Sequence, residues 1–117
     1  MSANGTLIRP ANTDTVFWVD ESKARYIVNS DVLNGVFDGK IQELNIPIRG
    51  ADVVGDTRLV NVDGKIYLID RYNGGVYVHR YIPNMDVFRA MSFKQGSNIA
   101  NWSQSQLDGY GVGPTFS

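Results

Sequence analysis

The chain has 117 residues and a mass of 13.0 kDa, which is enough for one compact domain and excludes a large multidomain enzyme. Its 43% hydrophobic and 20% charged residues are typical of a folded soluble domain. A net charge of -1 argues against a nucleic-acid partner, and the absence of cysteine excludes disulfides, thiolate metal sites and a cysteine nucleophile.

The first six residues lack the basic start and the apolar run of a secretory signal. The longest nearly apolar runs, at 15–19 and 66–69, are far shorter than the ~20 residues that cross a bilayer. We therefore expect no signal peptide, no membrane insertion, and a protein that is cytoplasmic or released on lysis.

Three strands are predicted in the first half of the chain, over residues 6–9, 15–20 and 24–28, because these runs are rich in β-branched and aromatic residues. A short helix should follow, with Asn29 as its N-cap and Asp31 in its first turn. This half is expected to be a three-stranded meander followed by a helix.

The second half predicts the same order of elements. Residues 58–62 and 65–70 form β-rich runs separated only by Asp63-Gly64, a dipeptide that closes a type I′ hairpin. A third strand over 76–82 should follow the turn at Asn73-Gly74-Gly75. Its alternation predicts two faces, one with Val76, Val78, Arg80 and Ile82 and the other with Tyr77, His79 and Tyr81.

A second short helix is predicted after Pro83, with Asn84 as its N-cap and Asp86 in its first turn. Residues 103–106 have capping-box spacing and predict one further helical turn that ends near Gly109. In the first half, the stretch that should correspond to this turn is 50–55.

An internal repeat relates these two halves. Residues 25–33 and 80–88 align without a gap and are identical at six of nine positions, and the preceding β-rich runs follow in the same order. We place repeat 1 at about 5–55 and repeat 2 at about 56–114, the second copy carrying about five extra residues near 73–75.

These elements predict an α+β fold, mostly β, with two tandem copies of a three-stranded β-meander plus short helix packed as one domain over 1–117. One copy of this length with a single thin sheet would be marginal alone, so the two should share a core. A pseudo-twofold arrangement is favoured, while edge-to-edge and face-to-face packing both stay open.

The repeated pattern, with Leu-Ile or Leu-Val, an apolar run and then Arg-Tyr-Ile at 25–27 and 80–82, resembles a short β-rich repeat. This repeat occurs in tandem in bacterial envelope-associated, wall-directed and phage-related proteins. The resemblance implies a role in attachment rather than catalysis. The Ile-Pro dipeptide that is part of the repeat's pattern is present only in the second copy, at Ile82-Pro83. The first copy has Ile27-Val28 at this position.

Few residues could carry catalysis. His79 is the only histidine, so any triad or imidazole metal site would depend on it, and a surface or interface role is favoured. Asp20 and Asp70 could be paired carboxylates for glycoside hydrolysis, or could accept hydrogen bonds from turn amides, which we favour. We expect no catalytic residue, metal or cofactor.

Aromatic residues are numerous and accompanied by ten asparagines, a combination used by sugar-binding and protein-binding surfaces. Trp18, Tyr26 and Tyr81 could instead fill the core. The predicted binding site surrounds the third strand of the second copy, where the copies differ, and comprises Tyr72, Asn73, Tyr77, His79 and Tyr81.

The sequence therefore predicts a non-enzymatic protein. The favoured function is a structural component of a phage virion, associated with its decoration, tail or fibre, that binds other protein subunits or further copies of itself. The alternative is a tandem-repeat carbohydrate-binding module, lectin-like or cell-wall-binding, that recognises a surface glycan.

Overall fold

The computed structural model describes residues 3–72 and 75–117, and it is α+β, mostly β, as predicted. Within that part of the chain, two sheets are accompanied by three short helices. In chain order the elements are β1 Leu7–Ile8, β2 Phe17–Asp20, β3 Lys23–Tyr26, α1 Ser30–Val36, β4 Ile41–Gln42, β5 Arg58–Val62, β6 Lys65–Tyr72, β7 Val76–Ile82, α2 Met85–Ala90, β8 Ala100–Asn101, α3 Gln104–Asp108 and β9 Gly111–Val112.

The first sheet has the strand order β3-β2-β1-β4. Strands β1 to β3 form the predicted antiparallel meander, although each is shorter than the predicted run. Strand β4 pairs with β1 in parallel. The second sheet has the order β8-β5-β6-β7-β9, in which β5 to β7 form a meander and the outer two strands are parallel to their neighbours.

The β5–β6 hairpin confirms the turn predicted at Asp63-Gly64. Both residues have a positive φ, 51° and 85°, as a type I′ turn requires. The next hairpin is longer than its counterpart in the first half, because pairing continues outward to Tyr72 and Val76. The extra residues of the second half therefore lengthen two strands, while Asn73 and Gly74 lie outside the described residues.

The short parallel strands β4, β8 and β9 were not predicted, since two-residue strands carry no alternation to recognise. The expectation of a helical turn at 50–55 is wrong. Val53 instead forms a parallel bridge with Ile27, and its amide donates to the Tyr26 carbonyl at 2.7 Å.

The helix starts are as predicted. The side chains of Asn29 and Asn84 accept hydrogen bonds from the amides of Val32 and Val87, each at 2.9 Å. Ser103 makes a complete capping box with the third residue of its helix. These local contacts satisfy amides that the first helical turn leaves unpaired.

One hydrophobic cluster receives buried side chains from the inner faces of both sheets and from α1 and α2. Trp18 lies within it, surrounded by the rings of Phe37, Phe93 and Phe116 at 5.1–6.1 Å. Its indole Nε1 donates to the Met91 carbonyl at 3.0 Å. Trp18 is therefore a core residue, and the two sheets meet across it.

The two halves make matching hydrogen bonds. In each half, the Nε of an arginine on the third strand donates to a carbonyl of the segment beside that strand. Two backbone amides of the same segment donate to carbonyls of the strand. The pairs are Arg25–Ala51 and Arg80–Pro114, Gly50–Ala24 and Gly113–His79, and Val53–Tyr26 and Phe116–Tyr81.

A reciprocal backbone contact joins the halves where Phe37 and Phe93 form an antiparallel bridge. On either side of this bridge, the Asp38 amide donates to the Ser92 carbonyl and the Lys94 amide donates to the Val36 carbonyl, at 2.7 and 2.8 Å. In each half, the residue after the phenylalanine thus donates its amide to the carbonyl of the residue before the other phenylalanine.

Candidate functional site

Aromatic side chains gather on the outer face of the second sheet. The β6–β7 register places Tyr67 opposite Tyr81 and next to His79. The ring centroid of Tyr67 lies 5.5 Å from each of the other two rings, edge-on to His79 and tilted against Tyr81. All three side chains are half-buried, so each ring keeps an accessible part.

These rings line a pocket of ≈ 230 Å³ together with Lys65, Val112, Gly113 and Thr115. Val112, on the edge strand β9, is 84% exposed. We call Tyr67, His79, Tyr81 and Val112 the aromatic surface. Rings beside an exposed aliphatic side chain can stack on an apolar face of a ligand or pack against a protein.

Of the two corresponding rings in the first half, Phe17 is covered and Tyr26 is half-buried. The ring centroids of Phe17 and Tyr26 lie 5.7 Å apart on β2 and β3, and those of Tyr67 and Tyr81 lie 5.5 Å apart on β6 and β7. The Arg49 guanidinium lies 4.9 Å from the Phe17 ring centroid, and Phe17 is buried. Arg49 pairs with Ala24 in the first half, and Val112 pairs with His79 at the matching position of the second half. Because the Val112 side chain is shorter than that of Arg49, the rings beside Val112 are left more open.

The structure brings together only some of the predicted site residues. His79 and Tyr81 share the aromatic surface, whereas exposed Tyr77 lies with Tyr110, with ring centroids 6.4 Å apart. Tyr72 ends β6, and Asn73 lies outside the described residues. Tyr67 was not predicted as a site residue, although the alternation of 65–70 places it on the face of Ile69.

Tyr77 is held at the outer end of its hairpin by a hydrogen bond. Its hydroxyl donates to the Asp56 carboxylate at 2.9 Å. This bond, with smaller contributions from desolvation and from the Asp56 charge, raises the pKa of Tyr77 above its ordinary value. The neutral phenol is therefore favoured and can keep donating as the pH rises.

Among the residues that the structure describes, no carboxylate contacts His79 in the way that a catalytic base requires. Its Nδ1 is buried and lacks a hydrogen-bond partner within 3–72 and 75–117. Across the same residues, no group of three His, Cys, Asp or Glu side chains is arranged to hold a metal ion. The predicted surface or interface role for His79 stays a prediction, and its ring belongs to the aromatic surface.

A group of four charged residues is buried between the halves. These residues are Asp20, Arg25, Asp70 and Arg80. All four residues are at most 4% exposed. Arg25 binds Asp70 through both terminal nitrogens, at 2.7 and 2.9 Å, and Asp20 at 3.0 Å. Arg80 reciprocally contacts Asp20 at 2.6 and 3.2 Å and Asp70 at 3.2 Å. We call these four residues the charged cluster.

The charged cluster corrects the expectation that Asp20 and Asp70 accept hydrogen bonds from turn amides. The turn amide of Ser22 donates instead to Asn4, at 2.8 Å. Burial lowers the pKa of Arg25, but hydrogen bonds and charges from Asp70 and Asp20 outweigh it, so its pKa is raised. Each of these two carboxylates is buried and is bound by two guanidinium groups. Such an arrangement stabilises the packing of the two halves and differs from the paired carboxylates that hydrolyse glycosides.

Across the described residues, no helix has the length and apolar character needed to span a membrane. The chain matches no family model, and comparisons with curated proteins and with solved structures find no match.

Proposed function

We propose that this chain is a non-enzymatic binding protein that acts through contacts with other protein subunits, and that its two halves are copies of one unit. The copies would span about 5–55 and 56–114. The duplication is supported by the matching hydrogen bonds of the two halves and by the reciprocal contacts of Arg25 with Asp70 and Arg80 with Asp20.

The observation that carries the binding proposal is the difference between the two outer faces. In the first half Arg49 lies over the ring of Phe17, and in the second half the aromatic surface stays open beside Val112. Tyr77, on the same face of β7 as His79, adds exposed apolar area farther along the strand. An exposed apolar side chain beside a group of accessible rings is typical of an interaction site.

The partner that fits this surface is a second copy of the chain. Strand β9 lies at the edge of its sheet, and an edge strand can pair with the same strand of another molecule. Such pairing around a twofold axis would bring both Val112 side chains and both aromatic surfaces into one interface. Placement of the assembly in a phage virion follows from the repeat resemblance and is part of the same proposal.

The test is the oligomeric state by light scattering and sedimentation equilibrium over a concentration series. We expect the wild type to self-associate and Val112→Asp to weaken association about 30-fold, the loss typical of a buried anchor. Ile48→Asp is the matched control, since Ile48 is 73% exposed in the first half and receives the same charge. A monomeric wild type, or equal losses in both variants, would contradict assembly through β9.

Carbohydrate binding is the second candidate, because three rings line one concave pocket. Its test is a glycan array with wild type and His79→Ala, which gives the second half the residue that the first half has at Ala24. Selective glycan binding by a monomer, lost in His79→Ala, would favour this candidate over protein assembly. Absence of glycan binding would eliminate it.

A further inference from the structure

The pocket of the aromatic surface is small enough to restrict its occupant to a single ring. Its volume of ≈ 230 Å³ lies below the range of about 300–1,000 Å³ found for drug-sized ligands. The aromatic residues Tyr67, His79 and Tyr81 line this space, and Lys65 lines it with them. The chemistry of these side chains indicates which kind of ring fits.

The polar atoms of the three aromatic residues are available to a ligand. Across the described residues, the hydroxyls of Tyr67 and Tyr81 and the Nε2 of His79 make no hydrogen bond, and none of them is among the buried atoms without a partner. Each of these atoms therefore keeps contact with solvent, whereas the Nδ1 of His79 is buried and takes no part in binding. A phenol hydroxyl can donate or accept, so it can bond a sugar hydroxyl in either direction.

Lys65 gives the pocket a positive charge. Its exposed side chain lies on the same face of β6 as Tyr67, since the two residues are two positions and about 7 Å apart along the strand. No carboxylate residue lines the pocket, and in the described part of the chain Lys65 has no ionic partner. An ammonium group without a carboxylate beside it favours an anionic ligand.

The equivalent place in the first half has a different chemistry. Strand register and spacing align Lys65, His79 and Thr115 of the pocket with Thr15, Ala24 and Asp52, in that order. The cation of the first half is Arg49, which lies over Phe17 and contacts the Asp52 carboxylate at 3.5 Å. Its charge therefore already has a partner. Open rings beside a cation that lacks such a partner occur only in the second half of the described chain.

We propose that the pocket of the aromatic surface binds a uronic acid, which is a sugar ring that carries a carboxylate. The apolar face of the sugar lies against the rings of Tyr67 and Tyr81. Its hydroxyls bond to the phenol hydroxyls and to the Nε2 of His79, and its carboxylate pairs with the Lys65 ammonium. This inference rests on the carbohydrate candidate of the proposed function and names the ligand class of that candidate.

The test is an amide chemical-shift titration of the full chain with three probes. Glucuronate has the sugar ring, the hydroxyls and the carboxylate, glucose lacks the carboxylate, and benzoate has a carboxylate on a flat ring without hydroxyls. Glucuronate should shift amides of β6, β7 and β9 around the pocket. It should bind about ten-fold more tightly than glucose, the effect of one hydrogen bond to a charged group, and also more tightly than benzoate.

Variants of Lys65 test the origin of the preference for glucuronate. Lys65→Met removes the ammonium but keeps an aliphatic chain, so it should reduce the ten-fold preference to about one while the affinity for glucose stays the same. The Tm should also stay the same, because Lys65 is exposed. Lys65→Arg keeps the charge and should keep the preference. Lys23→Met is the matched control, since Lys23 is an exposed strand lysine of the first half.

Four outcomes would overturn the inference: no shift with glucuronate, equal affinities for glucuronate and glucose, binding of benzoate at least as tight as that of glucuronate, or a preference that survives Lys65→Met. Light scattering on the same samples reports the proposed self-association separately. A monomeric wild type that prefers glucuronate would contradict assembly through β9 and support this inference. A self-associating wild type that binds glucose and glucuronate equally would contradict this inference alone.

Discussion

At the scale of single residues, the charged cluster links the two halves of the chain. Each arginine contacts both aspartates, so neither half can satisfy its buried charges alone. The Arg80 guanidinium also lies 3.8 Å from the Phe116 ring centroid, which adds a cation–π contact. The four buried charges sum to zero. We expect them to favour this relative arrangement of the two sheets, because another arrangement would leave buried charges unpaired.

We expect Asp70→Asn to destabilise the protein by about 3–5 kcal/mol, because it leaves a buried guanidinium charge without compensation. The measurement is denaturant unfolding. Asp52→Asn is the control: Asp52 contacts Arg49 at 3.5 Å in an exposed pair, and its loss should cost less than about 1 kcal/mol. Equal losses in the two variants would show that the charged cluster does not stabilise the fold as proposed.

At the scale of elements, glycines with similar backbone angles serve different purposes. Gly5 and Gly64 have φ values of 90° and 85°, a region that side chains other than glycine enter at a cost. Gly64 closes an exposed hairpin with no atom near its Cβ position, whereas Gly5 packs directly on the end of α2. Ser92 reinforces that contact by donating its hydroxyl to the Gly5 carbonyl at 2.6 Å.

Replacement of these glycines by alanine should separate backbone strain from packing. Gly64→Ala should cost about 1 kcal/mol through its φ alone. Gly5→Ala should cost about 3 kcal/mol or more, because the added methyl also collides with the Ala90 carbonyl. Unfolding free energies of both variants test this, and similar losses would mean that the β1–α2 contact opens without penalty.

At the scale of the whole molecule, the core is shared between the halves. Trp18 of the first half obtains its hydrogen bond and two of its neighbouring rings, Phe93 and Phe116, from the second half. Asp20 and Arg25 likewise each have one ionic partner in the second half, Arg80 for Asp20 and Asp70 for Arg25. A half of the chain therefore exposes both apolar surface and charges that the complete molecule buries.

We predict that residues 1–55 alone are largely unfolded and that mixing them with residues 56–117 restores folded structure. The reason is that neither part alone offsets its conformational entropy by burial. Amide spectra and thermal scans of the two fragments, separately and mixed, provide the measurement. A sharp thermal transition from 1–55 alone would contradict the shared core.

The residues that form the aromatic surface were predicted to share a face only in part. Strand alternation placed His79 and Tyr81 on one face, and it also placed Arg80 among apolar residues, which was a sign of its burial. The pairing of Tyr67 with His79 and the separation of Tyr77 depend on the β6–β7 register and on the position of Tyr110. Neither is encoded in local alternation, because a register is set by a turn and by packing.

The sequence by itself determined the local structure: the meander strands of the second half, the positive-φ turn at Asp63-Gly64 and the caps at Asn29 and Asn84. These features follow from neighbouring residues, whose alternation, backbone freedom and capping side chains act within a few positions. Only the tertiary structure decided the parallel edge strands and the partners in the charged cluster, which are up to 60 residues apart. Such contacts depend on how two sheets meet in space, and backbone pairing at a sheet edge requires no particular side chain.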